Sequence, residues 1–455
     1  MIMAIRNLSN LLIRAISMAI FAICLILFNA GLAEASTILY YGQSYSPYEM
    51  RFTYSSQEKT VFTSVNGTIK PVALDSSHGK LYFADPLEGV IYQSNLTGSS
   101  TTPYLSGVYA EGLAVDADSN FFYYTQSHTD DSNIEHYNVV RANLTNPLNS
   151  PTVLYTTETG TPEAITVAEN GDVYFSDPHE SVAAIYKVAS GTSNPVAFMT
   201  DVHAYGLAVQ GEFLYFSEAY DPNFKIRKVK LSDKSVSDFV YVSSTGAPKA
   251  LTIAGSDLYV ADMHSSVAKI YKINLVSQAQ SVELSNVNAG GIAVLINTPP
   301  LVTVNTGIST NENTPAVISN TELQTTDAES TEPGELVYKL LTVPGKGKLT
   351  IDGTEMAVNA EFTQSDINNS MIRYVPSPTE NGNDSFTFNV NDGMGEYATG
   401  TNTFNITINA ANSAPTFIKG ADQTILEDAG AQTITDWATG MSVGPADESG
   451  QTYEF

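Results

Sequence analysis

The sequence predicts an all-β chain, a six-bladed β-propeller followed by β-sandwich modules of which the last is incomplete. Three observations predict it. A five-residue strand motif recurs six times, turn formers break every run between copies, and after residue 297 the texture changes to alternating strands rich in Thr, Asn and acids.

The N-terminus comes first. Arg6 and Arg14 precede an apolar run from Ala15 to Phe28, and Ala33-Glu34-Ala35 gives the small-x-small pattern of a cleavage site before Ser36. Residues 1–35 therefore read as a secretory signal peptide. The run falls well short of the roughly 20 residues of a spanning helix, so no membrane span is expected in the mature chain. Cys24 is the only cysteine and lies inside the leader, which leaves the mature protein without thiol, disulfide or thiolate metal site. Phe21-Ala22-Ile23-Cys24 is a poor lipidation box, because Ile23 stands where a small residue is required. The chain carries a formal net charge of −27. Such a surface repels phosphate backbones and anionic headgroups, which excludes nucleic acid as a partner class and admits divalent cations.

Residues 36–297 form the propeller. The motif copies are Leu39-Tyr40-Tyr41-Gly42-Gln43, Leu81-Tyr82-Phe83-Ala84-Asp85, Phe122-Tyr123-Tyr124-Thr125-Gln126, Val173-Tyr174-Phe175-Ser176-Asp177, Leu214-Tyr215-Phe216-Ser217-Glu218 and Leu258-Tyr259-Val260-Ala261-Asp262. A second motif precedes most copies, as in Gly112-Leu113-Ala114-Val115 and Gly206-Leu207-Ala208-Val209, and a third follows each, as in Ile91-Tyr92 and Ile226-Arg227. Three strands and a variable fourth at a period in the low forties is the arithmetic of a blade. The first copy lacks its preceding motif, which appears instead at the far end as Gly291-Ile292-Ala293-Val294. The last strand thus completes the first blade and closes the ring without an open edge. The acids Asp85, Asp177, Glu218 and Asp262 recur too regularly for catalysis and read as hydrogen-bonding groups between blades.

These repeats resemble the YWTD propeller repeat of low-density-lipoprotein-receptor-type proteins, and more loosely NHL and regucalcin-type propellers. Tyr, Phe or Val replaces the namesake Trp in every blade, so the resemblance implies the architecture and not a receptor function.

Asn297-Thr298-Pro299-Pro300 opens the second half, with a sandwich module over 298–412. Alternation in the stretches at Leu336, Ile372 and Phe386 predicts half-buried antiparallel strands. Pro344-Gly345-Lys346-Gly347-Lys348-Leu349, Phe362-Thr363-Gln364-Ser365-Asp366-Ile367 and Asp384-Ser385-Phe386-Thr387-Phe388-Asn389-Val390-Asn391-Asp392-Gly393 follow in order. Their order resembles the cadherin-like repeat of chondroitin-sulfate-proteoglycan and bacterial surface-adhesin type. Asn412-Ser413-Ala414-Pro415 repeats the boundary, and residues 413–455 read as the start of a second such module, truncated at Phe455.

Two candidate sites follow. The cadherin-like resemblance implies Ca2+ held by junctional carboxylates, at Glu312, Asp327, Glu329, Asp384 and Asp392; the plain alternative is acids that cap turns and solvate a surface. In the propeller, register places Lys70, Glu111, Glu163, Tyr205, Lys249 and Gly290 just before the innermost strand of each blade. Tyr45, Leu87, His128, His179, Tyr220 and His264 stand two residues beyond each outer acid or Gln. Both sets belong on one face, where Lys70, Glu111, Glu163, Tyr205, Lys249, His128, His179 and His264 would ring a ligand-binding mouth. No nucleophile elbow, phosphate loop, zinc-protease or dinucleotide motif occurs, and no organic cofactor is expected. The leading expectation is a secreted or cell-surface adhesion protein of bacterial type, whose propeller recognises an extracellular protein or glycan on a cadherin-like stalk. Its alternative is a secreted regucalcin-like lactonase or NHL-type lyase with a metal at the mouth.

Overall fold

The computed structural model describes residues 35–452 except 55–56, 65–66, 130–131, 221–222, 241–245 and 265–266, so the predicted signal peptide, save Ala35, lies outside the described residues. Strands are nearly all of the regular secondary structure in the described chain, which divides into two units. The first holds residues up to Pro300 together with Asp327–Glu335 and Asn391–Thr399; the second holds Leu301–Thr326, Leu336–Val390 and everything from Gly400. Two stretches of the predicted sandwich module therefore group with the first unit, and residues 413–452 fall within the second.

Among the described residues the first unit contains six four-stranded antiparallel sheets, each built from four strands in spatial sequence. Blade 1 alone is discontinuous: its innermost strand, Ala289–Asn297, pairs with Ser36–Gln43 from Ser36↔Asn297 to Gln43↔Ala289. The six innermost strands touch one another in order around the ring, and Ala289–Asn297 meets both Pro248–Ala254 and Lys70–Asp75, so the circle closes. Six buried apolar clusters fill the six interfaces, one between each pair of consecutive blades. Alternate residues of one strand serve different interfaces. Leu39 and Tyr41 pack toward blade 6, whereas Ile38 and Tyr40 pack toward blade 2. That is the physical reason these strands are apolar on both faces.

The blades are not six equals but alternate. Three residues before each innermost-strand position stand Val287, Gly67, Val108, Gly160, Val202 and Gly246, in blades 1 to 6. At the acid position the order is Gln43, Asp85, Gln126, Asp177, Glu218, Asp262, and on the third strand Arg51, Tyr92, Arg141, Tyr186, Arg227, Tyr271. Odd blades carry Val, Gln or Glu, and Arg; even blades carry Gly, Asp and Tyr. In even blades the Asp carboxylate straps the incoming connection to the blade's own loop. Asp177 accepts from the Thr161 and His179 amides at 2.9 and 3.2 Å, and Asp262 from Ala247 and His264 at 2.7 and 3.1 Å. Asp85 takes the Ser64 hydroxyl at 2.6 Å and the Leu87 amide at 3.1 Å. A Cβ at Gly67 or Gly160 would lie 1.5 or 1.9 Å from Asp85 Oδ2 or Asp177 Oδ2, so Asp and Gly are one device. In odd blades the Val is buried instead, and among the described residues no carboxylate strap of this kind is seen. Glu218 of blade 5 turns to Arg227 at 3.3 Å.

The second unit has a five-stranded and a four-stranded sheet around Tyr338, Leu349, Phe362, Tyr374, Phe386, Phe388 and Phe404, all essentially buried. In Gly382–Asn391 every second residue from Phe386 points inward, and in Asn402–Asn409 every second residue from Phe404. The Phe-Thr-Gln-x-Asp-Ile motif is a short helix, Gln364–Asn368, started by a reciprocal cap. Thr363 Oγ1 takes the Asp366 amide, and Asp366 takes the Thr363 amide at 2.7 Å. Gln364 Oε1 then receives the Thr325 amide at 2.8 Å and lies 2.6 Å from the Tyr338 hydroxyl.

Candidate functional site

The innermost strands end at one opening, and the register there is what aims side chains into it. In blades 5, 6 and 1 the pairing slips by one residue, leaving Tyr205, Lys249 and Gly290 as unpaired bulge residues. A bulge turns the extra side chain away from the sheet. The following Gly position is fixed by close approach: a Cβ at Gly112 would stand 2.2 Å from the Glu163 carbonyl oxygen, and one at Gly206 2.1 Å from that of Lys249. Neighbouring blades thus meet backbone to backbone just below the mouth.

All six predicted residues, Lys70, Glu111, Glu163, Tyr205, Lys249 and Gly290, line a single cavity of about 130 Å3 on the propeller axis, floored by Leu113, Ile165, Leu207, Leu251 and Ile292. Lys70 Nζ bonds Glu111 Oε2 at 3.0 Å. Lys249 Nζ lies 4.7 Å from the centroid of the Tyr205 ring. Glu163 has no side-chain hydrogen bond or ion pair among the described residues. Burial raises its carboxyl above the ordinary range, Lys249 and Lys70 pulling it down and Glu111 and Asp177 pushing it up.

Two further cavities share Glu163. One, of about 320 Å3, adds Pro86, Tyr109, Gln126, Tyr137 and Pro162; the other, of about 210 Å3, adds Pro178, His179, Glu180 and His203. Of the three predicted histidines only His179 reaches these cavities. His128 stacks on His136 at 5.2 Å between ring centres and meets Asn138 at 3.0 Å. The His264 carbonyl closes a turn with the Val267 and Ala268 amides, and neither His128 nor His264 lines the axial cavity. His203, Tyr109, Tyr137 and Met263 were not expected at the mouth, because they lie outside the two registered positions. Only their distance from those positions in each repeat could have signalled them.

The five acids named by the cadherin-like resemblance are dispersed. Asp327, Glu329 and Asp392 fall in the first unit, Glu312 and Asp384 in the second. Asp392 is fully buried, accepting from Asn297 Nδ2 at 2.6 Å and from the Met394 and Glu396 amides at 2.7 and 3.0 Å. Burial outweighs those bonds and pushes its carboxyl up to about 6. Glu329 Oε2 accepts from the amide and hydroxyl of Thr298. Asp327 Oδ1 caps the Glu329 and Ser330 amides, while Asp327 Oδ2 and Asn297 Oδ1 are buried without a partner among the described residues. Asp384 is saturated by the Gly345 and Lys346 amides and the Tyr374 hydroxyl. Glu312 Oε1 holds the Ala411 amide. Among the described residues no group of three or more acidic, His or Cys side chains is arranged to hold a metal ion, and no helix is long and apolar enough to cross a membrane.

Residues 300–408 match the model of the cadherin-like family. The human extracellular matrix organizing protein FRAS1 is 30% identical over 140 residues, which is 30% of this chain and 3% of that protein; the mouse counterpart is 32% identical over the same length. Extracellular matrix protein 3 of Lytechinus variegatus is 33% identical over 101 residues, 21% of this chain and 3% of that one. The chain thus spans a few hundredths of the length of the curated relatives it matches. Among solved structures, a nidogen/laminin complex chain is matched with a TM-score of 0.48 at 17% identity, over 57% of this chain and 98% of its own. A gluconolactonase of Xanthomonas campestris is matched at 0.43 and 14%, over 57% and 90%. The propeller rests on its own sheet order and closure, and residues 300–408 are a cadherin-like domain.

Proposed function

We propose that this chain is a secreted or cell-surface binding and adhesion protein whose propeller mouth recognises an extracellular protein partner, in a chain that also carries a cadherin-like domain. The observation that carries the reading is the mouth itself. Five side chains of three kinds, two Lys, two Glu and one Tyr, converge from equivalent repeat positions on one cavity, with two flanking cavities widening it into a face of tyrosines, prolines and mixed charges. Rings and prolines present rigid area at small entropic cost, as recognition surfaces do. The lactonase or lyase alternative asks the same mouth for a metal shell. Two lysines line the cavity and one of them neutralises Glu111, a donor set that opposes a divalent cation. The relatives named above are extracellular matrix proteins, which agrees with a matrix-facing role.

The test is surface-immobilised full chain against arrays of purified matrix proteins and of glycans. A protein hit whose affinity drops at least about tenfold in Glu111→Ala/Tyr205→Ala supports the reading. Hits indifferent to that variant, or glycan hits alone, reject it, and metal-dependent lactone hydrolysis would favour the alternative.

Calcium is the ion assigned by the same reading to the Asn297, Asp327 and Asp392 cluster, supported by the two unpartnered buried oxygens, Asn297 Oδ1 and Asp327 Oδ2. Calcium raises the melting temperature of the full chain and does so less in Asp327→Asn. A wild-type protein with no shift against chelator removes the ion.

A further inference from the structure

We infer that the mouth is built to take a basic side chain, Lys or Arg, of a partner segment, with Glu163 as its acceptor. The inference rests on the binding reading above and names the chemistry of that site. Of the four charged groups in the axial cavity, Lys70 and Glu111 satisfy each other at 3.0 Å. Lys249 has the Tyr205 ring beneath its ammonium. Glu163 alone has no donor: no amide, hydroxyl or cation bonds its carboxylate among the described residues. A partly desolvated acceptor without a donor is the costliest unsatisfied group in the cavity, and a ligand that supplies N–H donors there recovers that cost.

Position strengthens the case. Glu163 is the one side chain common to the axial cavity and both flanking ones, which meet over Thr161 and Glu163. An extended segment crossing from Tyr109 to His203 therefore passes over Glu163 and can drop one side chain onto it. Tyr109 is 47% exposed and forms an open ledge at one end. The net charge of −27 draws cationic segments toward the molecule at long range. An anion seated on Lys249 is the competing outcome. It would displace a cation–π contact already made and leave Glu163 unpaired.

The probes are Nα-acetyl-lysine methylamide and its arginine, norleucine and glutamate counterparts, titrated calorimetrically into the full chain and into Glu163→Gln. The lysine or arginine probe binds wild type saturably and at least about tenfold more tightly than norleucine, weakens with added salt, and loses that advantage in Glu163→Gln, whose melting temperature matches wild type. Absence of saturable binding by either basic probe overturns the inference. So does equal binding to Glu163→Gln, or norleucine binding as tightly. A glutamate probe that binds best, and is lost in Lys249→Ala, overturns it while leaving the mouth as the site. A matrix partner indifferent to the mouth variant above defeats the binding-head reading without changing the probe result.

Discussion

Asp384 is buried enough that desolvation would raise its carboxyl, yet bonds from the Tyr374 hydroxyl and the Gly345, Lys346 and Ser385 amides outweigh this and hold it below the ordinary range. A carboxyl depressed in the folded state contributes stability that is full above the unfolded-state pKa and is lost as pH falls through the folded one. Asp384→Asn is therefore expected to cost about 1–3 kcal/mol at neutral pH, and the gap to wild type closes in acid. Urea unfolding of both proteins at pH 7 and near pH 3 checks this, and an unchanged gap would show that the charge is irrelevant. The sequence marks Asp384 as special but not its partners. Residues 345 and 346 lie almost forty positions away, and only the folded sheet brings the Pro-Gly-x-Gly turn onto it. The mouth residues were legible for the opposite reason: a repeat carries its own ruler, so equivalent positions had to meet on one axis. The histidines two residues past the outer acid failed as a set because that position lies in loops of different length and shape. In blade 3 the strand simply runs on through His128 to pair with His136.

The strand motif was readable as an element because both of its faces are buried, whereas the alternation of blades was written in pairs of residues that no single motif contains. Gly160 and Asp177 stand seventeen positions apart, and the reason for the Gly is the carboxylate that occupies the place of its missing side chain. Gly160 has an ordinary backbone, so a substitution there is penalised by contact and not by conformation. Gly160→Val is expected to destabilise the full chain by about 1–3 kcal/mol through overpacking, and Asp177→Gln to lose the straps to Thr161 and His179. Odd blades already combine Val with Gln, as in Val108 and Gln126. The double variant Gly160→Val/Asp177→Gln converts an even joint to an odd one and is expected to recover about 1 kcal/mol or more of the summed loss. Chemical denaturation of the four proteins of this cycle measures the coupling. Strict additivity would mean that Val and Gln in the odd blades owe nothing to each other and that the double-blade repeat is only a pattern of letters.

At the scale of the molecule the displaced Gly-Ile-Ala-Val motif announced the closure, because a blade lacking one strand and a strand lacking a blade have one economical solution. What the sequence concealed is that Asp327–Glu335 and Asn391–Thr399 belong with the propeller. They lie inside a module whose own motifs run unbroken around them, yet Glu335 accepts from Asn95 at 2.6 Å and Met394 is buried in the cluster between blades 1 and 2. Closure makes the ring cooperative. Every blade is held by two buried interfaces, so opening one joint strips apolar cover from two blades at once and creates two unpaired sheet faces. Gly291 sits on the closing strand with Pro71 Cα and Val72 N at 2.9 Å from where a Cβ would be, and backbone on that side cannot give way. Gly291→Val is thus expected to open the joint between blades 1 and 2, whereas Gly334→Ala, which meets nothing within 4 Å, leaves stability unchanged within about 0.5 kcal/mol. Hydrogen exchange reads the difference. If closure governs the fold, Gly291→Val lowers protection in all six blades together, including strands such as Val173–Asp177 on the far side of the ring, while Phe386–Val390 of the second unit keeps its protection. Loss confined to Ser36–Gln43 and Lys70–Asp75 would instead show blades that unfold one by one, and the closing strand would then be a local seam with no hold on the rest of the ring.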